Sequence, residues 1–292
     1  MTINDQIFGY GVIGDELLAR GEEFRSPHHR PDFIKIFLDG TPPGLSGAFL
    51  EPYLPNQYGH DHCGETTMDP GELLGWLRQT AERGISAKIH CTGDAAVREV
   101  IDAVAQIRAE GHADILYQIA HGQFIHPDDI SRLAELDITI EFSPFLFFPG
   151  VIADALGTVR PAEEIQRIAP IRTLIDSGVL VAGGSDWPVS ETPYAWEAIH
   201  GLVTRSDPYG TRPGQLAPEE AISIGEAIRA FTLSAARACG LDDVPGSLEV
   251  GKSADFTVHS ANPFEVEPEE LVSTAVDQTW FAGTQVYARE QA

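Results

Sequence analysis

The sequence has few positive charges. Its 292 residues include 19 lysine and arginine residues against 44 aspartate and glutamate residues, which gives a net charge of −25 at pH 7. A field of that sign repels nucleic-acid backbones and anionic membrane surfaces. We therefore expect this protein to bind neither nucleic acid nor a membrane.

Cysteine is also scarce. Cys63, Cys91 and Cys239 are scattered and form no C-x-x-C pair, which argues against a disulfide framework and a structural zinc knuckle. A reducing environment fits this usage, so we expect a cytoplasmic protein.

No long apolar run is present. The most apolar stretch, FSPFLFFPGVIADALG at 142–157, is broken by two prolines, a glycine and an aspartate. It is too short and too interrupted to span a bilayer. The first 24 residues also lack the basic region and apolar run of a secretory leader.

What the sequence does contain is a repeated alternation of short apolar strands and amphipathic helices. Five runs rich in β-branched and aromatic residues are typical of buried parallel strands. Helical patterns separate or follow them: DPGELLGWLRQTAER with Pro70 in its first turn, DAAVREVIDAVAQIRAE, HPDDISRLAEL, RIAPIRTLIDSG, and SIGEAIRAFTLSAARACG over 223–240. Consecutive strand–helix units predict an α/β fold with a parallel sheet and right-handed crossovers. The predicted strands are 33–40, 85–90, 115–121, 138–144 and 179–186.

After Gly240 the pattern changes to short alternating strands joined by Gly, Asn and Pro. We interpret this tail as part of a small β-sandwich. The sequence therefore predicts two domains, an α/β domain over residues 1–240 and a β domain over residues 241–292, without an internal repeat.

Polar side chains lie in or at the end of four predicted strands. Lys35 is within the first strand, His90 and His121 end the next two, and Asp186 ends the last. The carboxyl ends of parallel strands meet at one edge, where loops build active sites. Imidazoles and carboxylates are preferred ligands of Zn²⁺ and related ions, and a lysine among apolar neighbours is costly unless it is modified or paired. Together the four favour a metal site, although each alone is also typical of a structural residue.

Five ordered motifs make this interpretation more specific. They are KIFLDG, IHCTGDAAV, IAHGQFIHPDDI, VLVAGGSDWPV and GSLEVGKSADFTV. In this order and at this spacing they resemble the C-terminal portion of a metal-dependent amidohydrolase. The branch to which they are most similar is the YtcJ-like group, which contains N-substituted formamide deformylases.

The resemblance implies a (β/α)8 TIM barrel and hydrolysis of a non-peptide C–N bond, in an amide or formamide, by metal-activated water. By position, Lys35 matches a lysine that becomes a metal-bridging carbamate, and His90 and His121 match metal ligands. Asp186 matches an aspartate that touches metal and acts as general base. The resemblance also implies one or two divalent ions, zinc first among them, and a small amide-type substrate.

Other residues have weaker support. Asp94 either caps the helix that follows Gly93 or supports His90 from behind. Trp187 and Arg205 are pocket candidates by resemblance only. Phe145 belongs to a group of phenylalanines that either lines an apolar pocket or packs in the core.

The resemblance also implies that something is missing. The family pattern opens with a strand that ends in His-x-His, but only 34 residues precede Lys35, too few for three βα units of roughly 30 residues each. We therefore expect a barrel without its first three βα units. His60 and His62 have the spacing of that motif, yet no apolar strand leads into them.

Three explanations follow for this expected gap. The chain is a fragment of a longer product, or part of an enzyme completed by another chain or a second copy in a homo-oligomer, or a truncated homologue. The truncated homologue would be non-catalytic and would bind a partner or ligand, which is the alternative to a hydrolase.

Overall fold

The computed structural model describes residues 2–3, 18–26, 29–143, 146–190 and 192–290. Internal contacts divide the chain into two compact units. The first unit comprises Met1–Glu141, Ala155–Glu164 and Ser177–Val179. The second unit comprises Phe142–Asp154, Ile165–Asp176 and Leu180–Ala292. The predicted domain boundary at residue 240 stays a prediction.

A parallel sheet forms the centre of the first unit. Its strands lie in chain order, and each is hydrogen-bonded in parallel to the next. The predicted parallel α/β sheet is thereby confirmed, whereas its closure into a barrel stays a prediction. The strands are β1 (Thr2–Ile3), β2 (Phe33–Phe37), β3 (Ser86–Cys91), β4 (Tyr117–His121) and β5 (Ile138–Phe142).

One face of this sheet is apolar and faces the core of the unit. Alternate residues of β2 and β3 point to this face because side chains alternate along a strand. Helices α1 (Pro70–Ala81) and α2 (Asp94–Ala109) pack against β3, and α3 (Pro127–Glu135) packs against α2. The buried residues on the two strands include Ile34, Ile36, Ala87, Ile89 and Cys91.

A local signal fixes where α1 begins, and the apolar stripe of α2 fixes which side faces the sheet. Asp69 accepts a hydrogen bond from the backbone of Glu72, and Pro70 occupies the first turn of α1, as the sequence predicts. On α2 the buried residues recur at helical spacing, so one stripe of the helix faces the sheet. They are Ala96, Val97, Val100, Ile101, Ala103, Val104 and Ile107.

The second unit contains one short strand, several helices and an antiparallel sheet. Strand β6 (Val181–Gly183) precedes the SDWP turn. The tail forms a three-stranded antiparallel sheet in the order β7-β8-β9, and its place in a sandwich stays a prediction. The strands of this sheet are β7 (Phe256–His259), β8 (Val276–Phe281) and β9 (Thr284–Ala288).

The helices after β5 differ most from the sequence expectation. The single helix predicted over 223–240 is interrupted by a π-helical turn at Ala230–Ser234. The helices after β5 are α4 (Val151–Gly157), α5 (Ala162–Ile165), α6 (Ile171–Asp176), α7 (Ala195–Thr204), α8 (Ile224–Arg229) and α9 (Ala235–Ala238). Of these, α4, α5 and α7 were not predicted, because they are short or follow loops without an apolar period.

Two expectations about composition can be compared with the fold. Cys63, Cys91 and Cys239 are all free thiols. Within the described ranges, no helix combines the length and the apolar character that crossing a bilayer requires.

Candidate metal site

Three of the four residues predicted for the site lie on neighbouring strands of the first unit. Lys35 is the central residue of β2, His90 is the penultimate residue of β3, and His121 is the last residue of β4. The parallel register aligns these strands, so their carboxyl ends meet at one edge of the sheet.

The two histidines are in direct contact. The ring centroids of His90 and His121 are 4.6 Å apart, edge to face, and both side chains are buried. The register pairs His121 with Cys91, which lies on the apolar face. Strand alternation alone would therefore turn His121 away from His90. A left-handed backbone at His121, with φ 75°, ends the alternation at this residue.

The orientation of His90 is fixed by two neighbours. Its ring stacks on the ring of Phe37 with centroids 3.9 Å apart, and its Nε2 lies 3.2 Å from the carbonyl oxygen of Gly40. A carbonyl only accepts, so Nε2 must carry the proton and Nδ1 the lone pair. Nδ1 is therefore the nitrogen of His90 that can bind a metal.

Asp39 is a residue of this site that the sequence analysis missed. Its carboxylate is 0% exposed and accepts hydrogen bonds from the backbone of Ala48, Thr92 and Gly93 and from the Thr92 hydroxyl, at 2.9 to 3.1 Å. Asp39 Oδ1 also lies 3.6 Å from His90 Nε2. Burial raises the pKa of Asp39 to about 6. The signal was an Asp-Gly pair at the end of the predicted strand 33–40.

The turn after β3 is closely packed on the loop that follows Asp39. A Cβ on Gly93 would lie 2.0 Å from the carbonyl oxygen of Ala48, and backbone atoms cannot yield cheaply. We expect Gly93→Ala to lower the free energy of unfolding by about 3 kcal/mol, as for an overpacked core. Gly75→Ala is the matched control, since this exposed helical glycine has open space around it. We expect it to raise stability by about 0.5 to 1 kcal/mol. Denaturant unfolding measures both changes, and equal effects would contradict the packing argument.

Both imidazoles are held in the neutral form. Burial, with contributions from His121 and Lys35, lowers the pKa of His90 to about 3. Burial, with Lys35 and Lys88, lowers the pKa of His121 to about 3. Neutral imidazole is the form that binds divalent metals.

The sheet face that carries His90 is polar, which is unusual for a parallel sheet. The strand register aligns Lys35, Lys88 and Gln118 across β2, β3 and β4. Lys88 Nζ lies 2.9 Å from Glu141 Oε2, across the intervening strand β4. Neither Lys88 nor Glu141 was singled out by the sequence analysis, because register cannot be deduced from one strand at a time.

Asp186 lies in the second unit, three residues after β6. Its backbone is left-handed, with φ 54°, and its carbonyl oxygen accepts a hydrogen bond from Val189, which closes the SDWPV turn. Trp187 is 60% exposed on this turn. The metal-binding and general-base roles of Asp186 stay predictions, as does the pocket role of Trp187.

Three other candidates have the following places. Arg205 is fully buried and donates to the carbonyl oxygens of Leu216 and Ile168; its pocket role stays a prediction. Asp94 is the first residue of α2, and its carboxylate accepts a hydrogen bond from the Leu50 backbone. Its support of His90 stays a prediction. Phe145 lies outside the described residues.

The donor set suits a divalent metal only in part. Two adjacent, neutral imidazoles are suitable ligands for zinc, but no group of three or more His, Cys, Asp or Glu side chains in the described residues is placed to hold a metal.

His60 and His62 lie in a loop, as the sequence predicts, and His62 Nε2 is 2.7 Å from the carbonyl oxygen of Leu45.

A parallel α/β sheet that brings two neutral histidines together at its carboxyl edge suits a metal-dependent hydrolase. Comparison with known proteins makes this class more specific. A sequence profile of the amidohydrolase family matches residues 10–287. The chain belongs to the amidohydrolase family, in the branch of YtcJ and N-substituted formamide deformylase.

Similar proteins are found in plants, bacteria and archaea. Protein LONG AFTER FAR-RED 3 of Arabidopsis thaliana is 33% identical over 87% of this chain and 42% of its own length. N-substituted formamide deformylase of Arthrobacter pascens is 27% identical over 88% and 45%. An uncharacterized metal-dependent hydrolase from Pyrococcus horikoshii has a similar fold, with a TM-score of 0.75 at 20% identity over 88% of this chain and 50% of that one. The chain thus spans less than half the length of these two curated relatives.

Proposed function

We propose that this chain belongs to a metal-dependent hydrolase that cleaves a non-peptide C–N bond in a small amide or formamide. The observation that carries the proposal is the pair of buried imidazoles of His90 and His121, in edge-to-face contact beside Lys35. Two neutral imidazoles fit zinc better than they fit magnesium or calcium, which prefer oxygen ligands.

Each residue has a distinct task in this proposal. The carbonyl group of Gly40 holds His90 so that its Nδ1 is available as a metal ligand. The left-handed backbone at His121 turns that side chain toward His90. Lys35, as a carbamate, would be a third ligand beside the two imidazoles. Zinc, when bound, polarises the scissile carbonyl and acidifies water. Asp186 accepts the proton of the attacking water on its carboxylate and passes it to the leaving nitrogen.

The substrate class rests on similarity and on the aspartate's proton-transfer role. The relative from Arthrobacter pascens is named an N-substituted formamide deformylase, and a proton delivered to nitrogen suits an amine leaving group. We therefore propose N-substituted formamides as the first substrates to test.

A second candidate function is a non-catalytic chain of the same family. The observation that favours it is the small donor set, since the described residues bring together two imidazoles and no larger ligand group. Such a chain would retain the fold and bind a ligand or partner without turnover.

One experiment separates the two candidates. The purified chain is stripped with a chelator and reloaded with zinc, and its metal content and hydrolysis of an N-substituted formamide, its acetamide analogue and a dipeptide are measured. We expect metal-dependent release of amine, fastest from the formamide. Bound metal without turnover would favour the non-catalytic candidate, and absence of binding by the reloaded chain would contradict the metal site.

A further inference from the structure

The Asp39 carboxylate joins the ends of two neighbouring strands. Asp39 follows β2, and the donors that it binds lie directly after β3 and in the loop that follows β2. Its Oδ2 accepts from the backbone N–H groups of Ala48 at 3.0 Å and Gly93 at 2.9 Å. The backbone nitrogen of Thr92 lies 2.9 Å from Oδ1 and 3.1 Å from Oδ2. The carboxylate thereby fixes the segment after β2 against the turn after β3.

This connection also places the carbonyl group that holds His90. The Thr92 hydroxyl oxygen lies 2.8 Å from the carbonyl oxygen of Gly40 and 3.0 Å from Asp39 Oδ2. The same carbonyl oxygen lies 3.2 Å from His90 Nε2. His90 and Thr92 are close neighbours in the chain, at the end of β3 and directly after it. The bonds made by Asp39 therefore determine where the imidazole and its carbonyl partner meet.

The charge of Asp39 acts on the same nitrogen of His90. Asp39 Oδ1 lies 3.6 Å from His90 Nε2, which is too far for a hydrogen bond but close enough for a strong electrostatic effect in a buried site. Asp39 is 0% exposed and His90 is 4% exposed, so the interaction is screened little. A negative charge beside Nε2 stabilises a hydrogen on this nitrogen and disfavours a lone pair there. The carboxylate thus favours the tautomer whose lone pair is on Nδ1.

We propose that Asp39 is a positioning residue of the metal site, which keeps the hydrogen of the His90 imidazole on Nε2 and leaves the lone pair on Nδ1. Groups that contact a ligating histidine from behind fix its tautomer and its orientation in this way. This inference rests on the metal site of the proposed function and adds the residue that prepares one of its ligands before metal binds. A carboxylate that only held the beginning of α2 would serve the fold, and its loss would not change the tautomer of His90.

The test measures the tautomer directly, without metal and without activity. Metal-stripped protein with ¹⁵N-labelled histidines is observed by NMR at mildly alkaline pH, where imidazoles are neutral. A ring nitrogen that carries hydrogen and one that carries a lone pair give different signals, and those of His90 are the ones that disappear in His90→Gln. We expect the parent chain to carry this hydrogen on Nε2.

Asp39→Asn is the informative variant. The asparagine oxygen can replace Oδ2, on which the backbone donors of Ala48 and Gly93 converge. Its NH2 group then lies at the place of Oδ1 and directs a donor, instead of a negative charge, toward His90 Nε2. We expect the tautomer ratio of His90 to move about tenfold toward hydrogen on Nδ1.

Two further variants separate this effect from a general loss of stability. Asp129→Asn is the matched control, because Asp129 is another buried carboxylate of the same unit and binds Arg98 and Arg132. We expect it to leave the His90 tautomer unchanged. Asp39→Ala removes the carboxylate without bringing a new donor to the buried N–H groups, and we expect the tautomer to move in the same direction as in Asp39→Asn.

Three results would overturn the inference. The first is the parent tautomer in a folded Asp39 variant, and the second is a parent chain whose His90 hydrogen is on Nδ1. The third is loss of the fold in both Asp39 variants, because Asp39 would then serve the fold instead of His90.

Zinc affinity, measured on the same proteins by competition with a chelator, separates this result from the proposed function. We expect Asp39→Asn to bind zinc about 10- to 100-fold more weakly than the parent. If the parent binds zinc and Asp39→Asn keeps both its tautomer and its affinity, the inference about Asp39 fails and the metal site stands. If the parent binds no zinc at His90 and His121, the proposed function fails, whatever the tautomer shows.

Discussion

Replacement of His90 by glutamine and His121 by asparagine is expected to abolish stoichiometric binding of divalent metal and to leave the chain folded. Loss of a residue that only supports a ligand costs about 10- to 100-fold in metal affinity, so loss of two direct ligands costs more than about 100-fold. Asparagine suits position 121 because it tolerates the left-handed backbone there, with φ 75°. Elemental mass spectrometry gives metal per chain, and thermal unfolding reports the fold.

The matched control removes a histidine elsewhere in the same unit. His126 precedes α3, and its Nδ1 accepts a hydrogen bond from Asp128. Asparagine is a preferred residue at such a cap, so His126→Asn should keep both fold and metal. Full metal content in the variant that lacks His90 and His121 would show that the ligands lie elsewhere in the protein.

The convergence of these two histidines could be predicted from sequence only in outline. Short apolar runs placed His90 and His121 at strand ends, and the parallel sheet that they imply is present. The way in which His121 reaches the face of His90 was beyond such reasoning. It depends on one left-handed residue, and a histidine does not signal that conformation as glycine would.

Asp39 shows a different limit of sequence reasoning. A carboxylate after a strand is usually assigned to a turn, but Asp39 is buried and binds backbone groups of Thr92 and Gly93, more than 50 positions away. Only the parallel pairing of β2 and β3 brings these residues together. Strand pairing alone also brings Lys88 and Glu141 together, because their ion pair crosses strand β4.

Other differences follow from the weakness of short or isolated signals. The two residues of β1 are too few to show a period of two. Arg205 was a pocket candidate by resemblance only, and arginine is seldom fully buried, so its burial could not be predicted. In the fold Arg205 is the left-handed residue that ends α7, and its side chain donates to the carbonyl oxygens of Leu216 and Ile168.

Asp186→Asn is expected to reduce hydrolysis by about 10³-fold, the contribution of a general base to catalysis. An amide cannot accept the proton of the attacking water at pH 7, although it has nearly the same size and shape as the carboxylate. Asparagine also tolerates the left-handed backbone at this position, with φ 54°, so the turn is expected to keep its conformation. Turnover of an N-substituted formamide by the zinc-loaded protein measures the effect.

Asp137→Asn is the matched control for this substitution. Asp137 is exposed and also left-handed, with φ 51°, so the same chemical change meets the same backbone requirement away from the SDWP turn. We expect Asp137→Asn to keep full turnover and both variants to unfold at the temperature of the parent. Because backbone strain is matched between the two positions, a loss confined to Asp186→Asn would be due to the missing carboxylate. Equal turnover in the two variants would refute the general-base role.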